Sequence, residues 1–257
     1  VLAPLNQVGD LQGCRLEDGV VHTPDGWQQA YEQFCDAGWV GLALPQEYGG
    51  QGLPKLVSTP VWEMWFSTNM AFAMLPQLNV GQAEALQIAA SEEQKQIWLH
   101  KVVSGEWGTT MNPTDPQAAS DLPATRPKGF PQADGTYKLF GQKIFISYGE
   151  HELTPNIVHL VLARLPDAPA GVKGLSLFIV PKYLLDTEGN PSTRNDVRCI
   201  SIEHKMGIHG SPTCTLSFGD EGGAIGYLVG QANRGLETMF IMMNEARFGV
   251  GVQGVGL

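Results

Sequence analysis

The segment Thr136–Ser147, Thr-Tyr-Lys-Leu-Phe-Gly-Gln-Lys-Ile-Phe-Ile-Ser, decides how the middle of the chain folds. Apolar and polar residues alternate along it, which is typical of a half-buried β-strand. Ile144 and Ile146 are predicted on one face, and Phe145 and Ser147 on the other. A face with an aromatic ring beside a hydroxyl suits a flat heteroaromatic ligand, but the pattern by itself favours an ordinary strand.

Five further segments after Trp107 are rich in β-branched and aromatic residues, and turn clusters such as Asp134-Gly135 separate them. They are Ile157–Arg164, Leu175–Leu184, Val197–His204, Cys214–Phe218 and Ala224–Val229. Strands at this spacing predict an antiparallel barrel or sandwich.

The first hundred residues predict helices instead. Asp25 is expected to cap a helix over Gly26–Ala37, which Gly38 ends, with Trp27, Tyr31 and Phe34 as its apolar stripe. A capping box of Ser91 and Gln94 is expected to begin a second helix, which ends at Gly105.

Between these helices lie the apolar stretches Val61–Leu75 and Val80–Ala90, broken near Pro76 and Gly81. The nearly all-round apolarity of Val61–Leu75 predicts burial among other helices. After Gly235 the pattern is helical again. We therefore expect an α+β multidomain chain: an all-α domain over 1–105, an antiparallel β-barrel-like domain over 106–232, and the first helix of a C-terminal helical bundle over 233–257.

Composition narrows the class of protein. The 257 residues carry a net charge of −10, which argues against general binding to nucleic acid. The four cysteines form no disulfide framework, and no apolar run is long enough to cross a membrane. Charged residues make up only 16%, against about 25% in an average domain. With a start at Val1 and an end inside a helical pattern, this composition leads us to expect a portion of a larger protein.

Two stretches resemble ligand-binding motifs, but helix packing and buried or loop positions explain them better. Gly249–Gly254 matches G-x-G-x-x-G, but a helical pattern precedes it, so close packing of two helices is the better account than a dinucleotide site. Cys199, His204, His209 and Cys214 are evenly spaced by five residues, which fits the spacing of zinc ligands poorly. A zinc-dependent β module stays open as a weaker alternative.

Two polar features suggest a ligand site. Met111–Asp121 is a loop of small and polar residues directly after a strand, and it could aim hydroxyls at a ligand or form an ordinary turn. Arg247 follows Asn244 on an apolar helical face. There it could bind an anion, form an internal ion pair or lie at the surface.

Together these stretches resemble the acyl-CoA dehydrogenase family, in the same order and spacing. Leu44–Gly52 (LPQEYGGQG) is similar to its L-P-E-E-Y-G-G-x-G segment, Thr114–Asp121 to T-E-P-x-A-G-S-D, Lys143–Ser147 with Gly149 to K-x-W-I-T-N-G/A, and Asn244–Arg247 to D-x-x-R. Ile202–Thr213 further resembles a branch of larger bacterial members that includes fatty acyl-CoA and methylthiopropionyl-CoA dehydrogenases.

The resemblance implies a flavin-dependent dehydrogenase. FAD would lie between the β domain and the bundle and take a hydride from the β carbon of an acyl-CoA, while a glutamate removes the α proton. The implied partners are the acyl-CoA substrate, electron-transfer flavoprotein as electron acceptor, and further copies in a homo-oligomer. The implied location is the cytoplasm of a bacterium, or the mitochondrial matrix of a eukaryote.

The resemblance also assigns site residues. Those implied to contact FAD are Met111, Pro113, Thr114, Ser120, Phe145, Ile146 and Ser147; those implied to contact acyl-CoA are Ser120, Asn244 and Arg247. Phe145 stands in for a flavin-flanking tryptophan. Pro113 has no N–H to donate, and Asp115, Ala119 and Asn244 replace Glu, Gly and Asp of the family pattern.

No catalytic residue is assigned to this chain, because none of its glutamates at Glu203, Glu221, Glu237 and Glu245 lies in a matching context. We expect the base outside this chain, and the chain alone to be inactive. The alternative is a non-catalytic family remnant that binds acyl-CoA or flavin without turnover.

Overall fold

The computed structural model describes all 257 residues and begins with helices, as predicted. In order they are α1 (Leu2–Gln12), α2 (Trp27–Asp36), α3 (Lys55–Ala89) and α4 (Glu92–Ser104). A small hairpin of β1 (Arg15–Glu17) and β2 (Val20–His22) lies between α1 and α2 and was not predicted. Its signal was Asp18-Gly19, where both residues have positive φ, as a two-residue hairpin turn requires.

The middle of the chain is a β domain. Its strands are β3 (Gly108–Asn112), β4 (Lys128–Pro131), β5 (Tyr137–Ser147), β6 (Ile157–Arg164), β7 (Leu175–Pro181), β8 (Tyr183–Leu185), β9 (Pro191–Arg194), β10 (Val197–Ile202), β11 (Thr213–Phe218) and β12 (Ala224–Val229). β5, β12, β7, β6 and β4 pair in a closed ring, β11 and β10 extend it from β5, and β8 pairs only with β9. The predicted barrel-like fold is confirmed.

Not every strand pair is antiparallel. β3 pairs in parallel with β6, from Gly108 opposite Ile157 to Asn112 opposite Val161. β4 also meets β6 in parallel at one position. The parallel β3–β6 pair brings the end of β3, and with it the loop that follows, to the same end of the barrel as the end of β6.

The helix ends agree with the predictions at three of four positions. Ser91 and Gln94 form the capping box, Gly105 ends α4 at φ 78°, and Gly38 has the left-handed φ of 72° expected of a helix stop. The cap by Asp25 was wrong. The N-cap of α2 is Gly26 at φ 82°, and the Asp25 carboxylate instead accepts a hydrogen bond from Gln12 Nε2 at 2.9 Å.

Helix α3 joins the two apolar stretches that we expected to be broken near Pro76. The break lies at Asn69, whose φ of −159° and ψ of 88° are not helical. The Asn69 side-chain oxygen accepts a hydrogen bond from the N–H of Phe72 at 3.0 Å and so caps the second half of the helix. Burial is not all-round, because Met64 is 63% exposed.

The three largest buried clusters hold most of these elements together. The first cluster contains Phe72 of α3, against which α2 packs the rings of Trp27, Tyr31 and Phe34. The apolar stripe predicted for α2 is therefore confirmed. The second fills the barrel, and the third lies where α3 and α4 cover β6 and β7. The third cluster is therefore a core that the helices and strands share, whereas the barrel interior is formed by strand residues.

The final helix, α5 (Gly235–Gly256), packs along α3. A Cβ on Gly249 would lie 1.5 Å from Gln77 Nε2, so glycine lets the two helices approach, and the G-x-G-x-x-G sequence lies inside a helix. None of the helices is both long and apolar enough to cross a membrane. The division at residues 105/106 and 232/233 stays a prediction.

Asn79 links the helical and β regions. Its buried Nδ2 donates to the carbonyls of Val102 and Trp107, both at 2.9 Å, and its Oδ1 accepts from the Thr109 hydroxyl at 3.2 Å. We expect Asn79→Ala to lower the free energy of unfolding by about 2–4 kcal/mol, because it removes three buried hydrogen bonds and leaves the Trp107 carbonyl without this donor. Urea unfolding measures this, with the exposed Asn190→Ala as the control; equal midpoints would contradict it.

His209 ties α1 to the loop after β10 and predicts a pH dependence. Its Nε2 lies 2.9 Å from the Lys205 carbonyl, and its Nδ1 lies 3.1 Å from the Asp10 carbonyl and 3.0 Å from the Asp10 carboxylate. Only the imidazolium donates from both nitrogens, so the Lys205 and Asp10 carbonyls raise the pKa of His209 above 6.5.

Since the folded pKa is raised, the stabilisation by His209 is fully present below pH 6.5 and is lost as the pH rises through the folded value. Hydrogen-exchange protection factors of the α1 amides are therefore expected to fall as the pH rises from 6 to about 8. His209→Gln should abolish that fall, whereas His22→Gln should retain it. A pH-independent wild type would disprove the role of His209.

Candidate functional site

A cleft of about 180 Å³ opens where β3 and β5 meet α3 and α5. The barrel side contributes Met111 and Ser147. The helices contribute the rest of the lining: Met74, Gln77, Leu78 and Gly81 from α3, and Met242, Ala246, Val250 and Gln253 from α5. None of these side chains is ionisable, so the cleft suits an apolar or uncharged ligand.

Strand alternation aims Met111 at this cleft. Thr109 and Met111 face α3, whereas Thr110 and Asn112 are buried on the opposite face with His159. The Thr110 hydroxyl lies 2.7 Å from His159 Nδ1 and accepts from Asn112 Nδ2 at 2.6 Å. Burial lowers the pKa of His159 to about 3, which keeps this ring neutral.

A β-bulge in β5 sets the direction of Phe145. Cys214 pairs with Ile146 and Leu216 with Lys143, so β5 has one residue more than β11 between these pairs. Phe145 adopts φ 62° there, and its side chain is 55% exposed. Bulges re-aim side chains in this way and are common beside functional sites.

The bulge also alters the expected alternation along β5. Ile146 is buried in the barrel core, so its side chain faces away from any ligand on the Phe145 side. Ser147 lines the cleft, and Ile144 is half-buried. Ile146 is buried and Phe145 is exposed, as their predicted opposite faces require, but the bulge interrupts the regular alternation, because Lys143 and Ile146, three residues apart, are both buried.

The loop after β3 runs alongside this bulge. The N–H of Ile144 donates to the Thr114 carbonyl at 2.9 Å, which holds Thr114 against β5. Pro113 and Thr114 are half-buried, whereas Ser120 is exposed further along the loop. The cleft thus brings Met111 and Ser147 together, whereas Thr114 is held against Ile144 of β5 and Ser120 is exposed.

Asn244 and Arg247 are both exposed on α5. The guanidinium donates to the Asn244 side-chain oxygen at 3.0 Å and lies 5.5 Å from the ring centre of Phe240. Of the alternatives for Arg247, the structure shows the surface position, without an internal ion pair.

The four glutamates considered as a base lie elsewhere. Glu221 pairs with Arg198, Glu237 with Arg234, and Glu245 with Lys55 at 2.5 Å. Glu203 lines a separate pocket beside the end of α1. The cleft therefore has no carboxylate from this chain.

The evenly spaced cysteines and histidines do not form a metal site. Cys199 and Cys214 are buried in the barrel, and a hydrogen bond with Cys199 together with burial raises the pKa of Cys214. The rings of His204 and His209 lie 6.4 Å apart in the following loop. No three His, Cys, Asp or Glu side chains in the chain are grouped to hold a metal.

Fold and site together define a protein in which an α-domain and a β-barrel line one uncharged cleft. Residues 17–106 match the family described as acyl-CoA dehydrogenase, N-terminal domain. The whole chain is 51% identical to a 3-methylmercaptopropionyl-CoA dehydrogenase of Ruegeria pomeroyi, of which it covers 43%. The chain belongs to the acyl-CoA dehydrogenase family, and the resemblance is confirmed.

Solved structures agree with this assignment. A butyryl-CoA dehydrogenase of Megasphaera elsdenii superposes with a TM-score of 0.78 over 99% of this chain and 61% of that one, at 23% identity, which shows the fold. An acyl-CoA dehydrogenase of Bacillus anthracis complexed with FAD gives 0.73 over 90% of this chain and 36% of that one, at 29% identity. This chain thus spans less than two thirds of each of these proteins.

Sequence reasoning missed the helical walls of the cleft. Gln77, Gly81 and Ala246 carry no motif, because small and amide side chains on apolar helices usually mark packing. The Met-rich face of α5 was visible in the sequence, but only its contact with α3 shows that Met242 faces a cleft.

Ala119 occupies the position where the family pattern has glycine, and it adopts φ 49°. Left-handed backbone costs alanine about 1–2 kcal/mol, part of which glycine loses again through its flexible unfolded state. We expect Ala119→Gly to raise the free energy of unfolding by about 0.5–1 kcal/mol. Ala118→Gly is the matched control and should lower it by about 0.4–1 kcal/mol. Denaturant midpoints decide, and a destabilised Ala119→Gly would refute the argument.

Proposed function

We propose that this chain is the flavin- and substrate-binding portion of a flavin-dependent acyl-CoA dehydrogenase that forms an α,β double bond in an acyl-CoA thioester. The observation that carries the proposal is the convergence of Met111 and Ser147 on one uncharged cleft; Phe145, two residues before Ser147 on β5, is exposed. An aromatic ring, a thioether and a hydroxyl without nearby charge suit a flat, uncharged heteroaromatic ring system.

The residues at this edge fit FAD. When bound, FAD accepts the hydride that leaves the β carbon of the acyl thioester. The hydroxyls of Thr114 and Ser147 would hydrogen-bond the edge of the ring system, and Phe145 would cover one side of it. Pro113 has no N–H to donate, so it would contribute its ring or its carbonyl, which already accepts one hydrogen bond from Lys143 Nζ at 3.1 Å.

The helical walls would hold the substrate. The apolar side chains of Met74, Leu78 and Met242 would bind the acyl chain by burying it from water. Arg247, exposed with Asn244 on α5, would attract phosphate groups of the CoA portion. Because Asn244 is neutral, the Arg247 charge is not offset by a carboxylate at that position.

The remaining parts of the reaction would come from outside this chain. No carboxylate lines the cleft, so the base that removes the α proton would be supplied by other residues of the whole protein or of a neighbouring subunit. Electron-transfer flavoprotein would be the electron acceptor, and the assembly would be a homo-oligomer. Whether the acyl group is a fatty acyl or a methylthiopropionyl group depends on the full depth of the cleft.

The test begins with FAD titration of the purified protein, followed by anaerobic addition of acyl-CoA thioesters. We expect binding of FAD with a shift in its visible spectrum, then bleaching of its visible absorption by acyl-CoA in the protein that includes the base. Phe145→Ala should weaken FAD binding about tenfold, because one stacked ring contributes about 0.5–1.5 kcal/mol and its loss opens the site to water.

Phe130→Ala is the control, since Phe130 is 39% exposed on β4 and should leave FAD binding unchanged. A folded protein that binds no FAD would overturn the proposal. Tight binding of FAD and acyl-CoA by the whole protein without bleaching would instead support the second candidate, a non-catalytic binding protein, which the lack of a carboxylate in the cleft favours.

A further inference from the structure

Lys143 and Asp115 form an ion pair that is shielded completely from solvent. Lys143 Nζ lies 2.7 Å from Asp115 Oδ1, and neither side chain is exposed at all. Burial lowers the pKa of Lys143 to about 8, so the amine still carries its proton at neutral pH. This contact is therefore a charged pair placed where charges are costly to bury.

The bulge in β5 explains why a lysine is buried at this position. On a regular strand, residues three apart lie on opposite faces. The extra residue between Lys143 and Ile146 brings both inward, and both are buried. The same bulge leaves Phe145 pointing outward, so the inward lysine and the outward phenyl ring arise from one backbone irregularity.

Three consecutive residues of the loop after β3 are bound to two consecutive residues of β5. Lys143 Nζ donates to the Pro113 carbonyl at 3.1 Å and pairs with Asp115, and the Ile144 N–H donates to the Thr114 carbonyl at 2.9 Å. These contacts fix the loop directly beside the bulge.

Asp115 in turn organises the rest of the loop. Its Oδ2 accepts from the Arg126 N–H at 2.7 Å and from Gln117 Nε2 at 3.1 Å. Its backbone carbonyl accepts from the N–H groups of Ala118 and Ala119. Ala119, four residues after Asp115, and Phe145, two residues after Lys143, both adopt left-handed conformations, which persist only where surrounding contacts determine them.

We propose that Lys143 is a positioning residue for the cofactor: its ion pair with Asp115 orders the loop 113–120 against the β5 bulge and so holds Thr114 in register with Phe145 and Ser147. The expected effect on FAD affinity rests on the proposed function. The ordering of the loop is a property of the protein without any ligand. A buried ion pair contributes little net stability compared with apolar residues, whereas it specifies one geometry.

The test uses the neutral double variant Lys143→Met/Asp115→Asn, because removing one partner alone would leave a buried charge. The side-chain oxygen of the introduced asparagine can still accept from the Arg126 N–H, so the fold is expected to persist, with a Tm within a few degrees of wild type. Hydrogen exchange of residues 114–121 is expected to rise at least tenfold, and the Kd for FAD to rise at least tenfold. Asp115→Glu keeps the pair and should retain FAD affinity within about threefold.

Lys101→Met/Glu106→Gln is the matched control, because that pair has the same 2.7 Å separation but is solvent-exposed. It should change neither readout. Should the double variant unfold, Asp115→Asn alone replaces it: Lys143 can then lose its proton, since burial already lowers its pKa to about 8. The same increases in exchange and Kd are expected there.

Unchanged loop exchange in a folded variant would overturn the proposal, whatever happens to FAD. Faster loop exchange with unchanged FAD affinity would also overturn it, because the pair would then order the loop without positioning the cofactor. If wild type binds no FAD, the proposed function fails, and loop exchange by itself decides whether the pair orders the loop.

Discussion

Strand β5 pairs with three other strands along its length, and this change of pairing partners bends it within the barrel. Its first residues pair with β4 on one side and β12 on the other, and its later residues pair with β11. The change of partner occurs at Gly141, where φ is 134° and a Cβ would lie 2.9 Å from Pro127. Only glycine adopts such a backbone without strain, so the strand can bend here and continue.

The second irregularity of β5, the bulge at Phe145, connects the barrel to the candidate site. A strand that keeps its hydrogen bonds cannot turn one side chain outward without inserting an extra residue. The insertion frees the N–H of Ile144, which pairs with the Thr114 carbonyl. The loop after β3, the aromatic ring and the cleft hydroxyl are therefore held by the backbone of one strand, and the helices α3 and α5 complete the cleft from outside.

Particular residues show how far the sequence could be interpreted. Ser91 with Gln94 and the stripe on α2 were predicted correctly, because capping and helical spacing depend on neighbours within a few residues. The cap at Asp25 and the break at Pro76 were wrong. The Asp25 carboxylate accepts a hydrogen bond from Gln12, thirteen residues away, instead of capping α2. The break in α3 lies at Asn69, because its side chain caps the second half of that helix. The parallel pairing of β3 with β6 involves residues about fifty positions apart, which no local pattern reports.

The sequence by itself determined the order of elements, the family and the set of candidate residues, because periodicity, capping and motif spacing are local properties of the chain. Only the tertiary structure decided which of those residues meet. It turned Ile146 into the core and Phe145 outward, left Arg247 in solvent, and buried Lys143 with Asp115. The reason is physical: a single inserted residue inverts the facing of a strand, and its presence depends on the register with β11, a partner about seventy residues away.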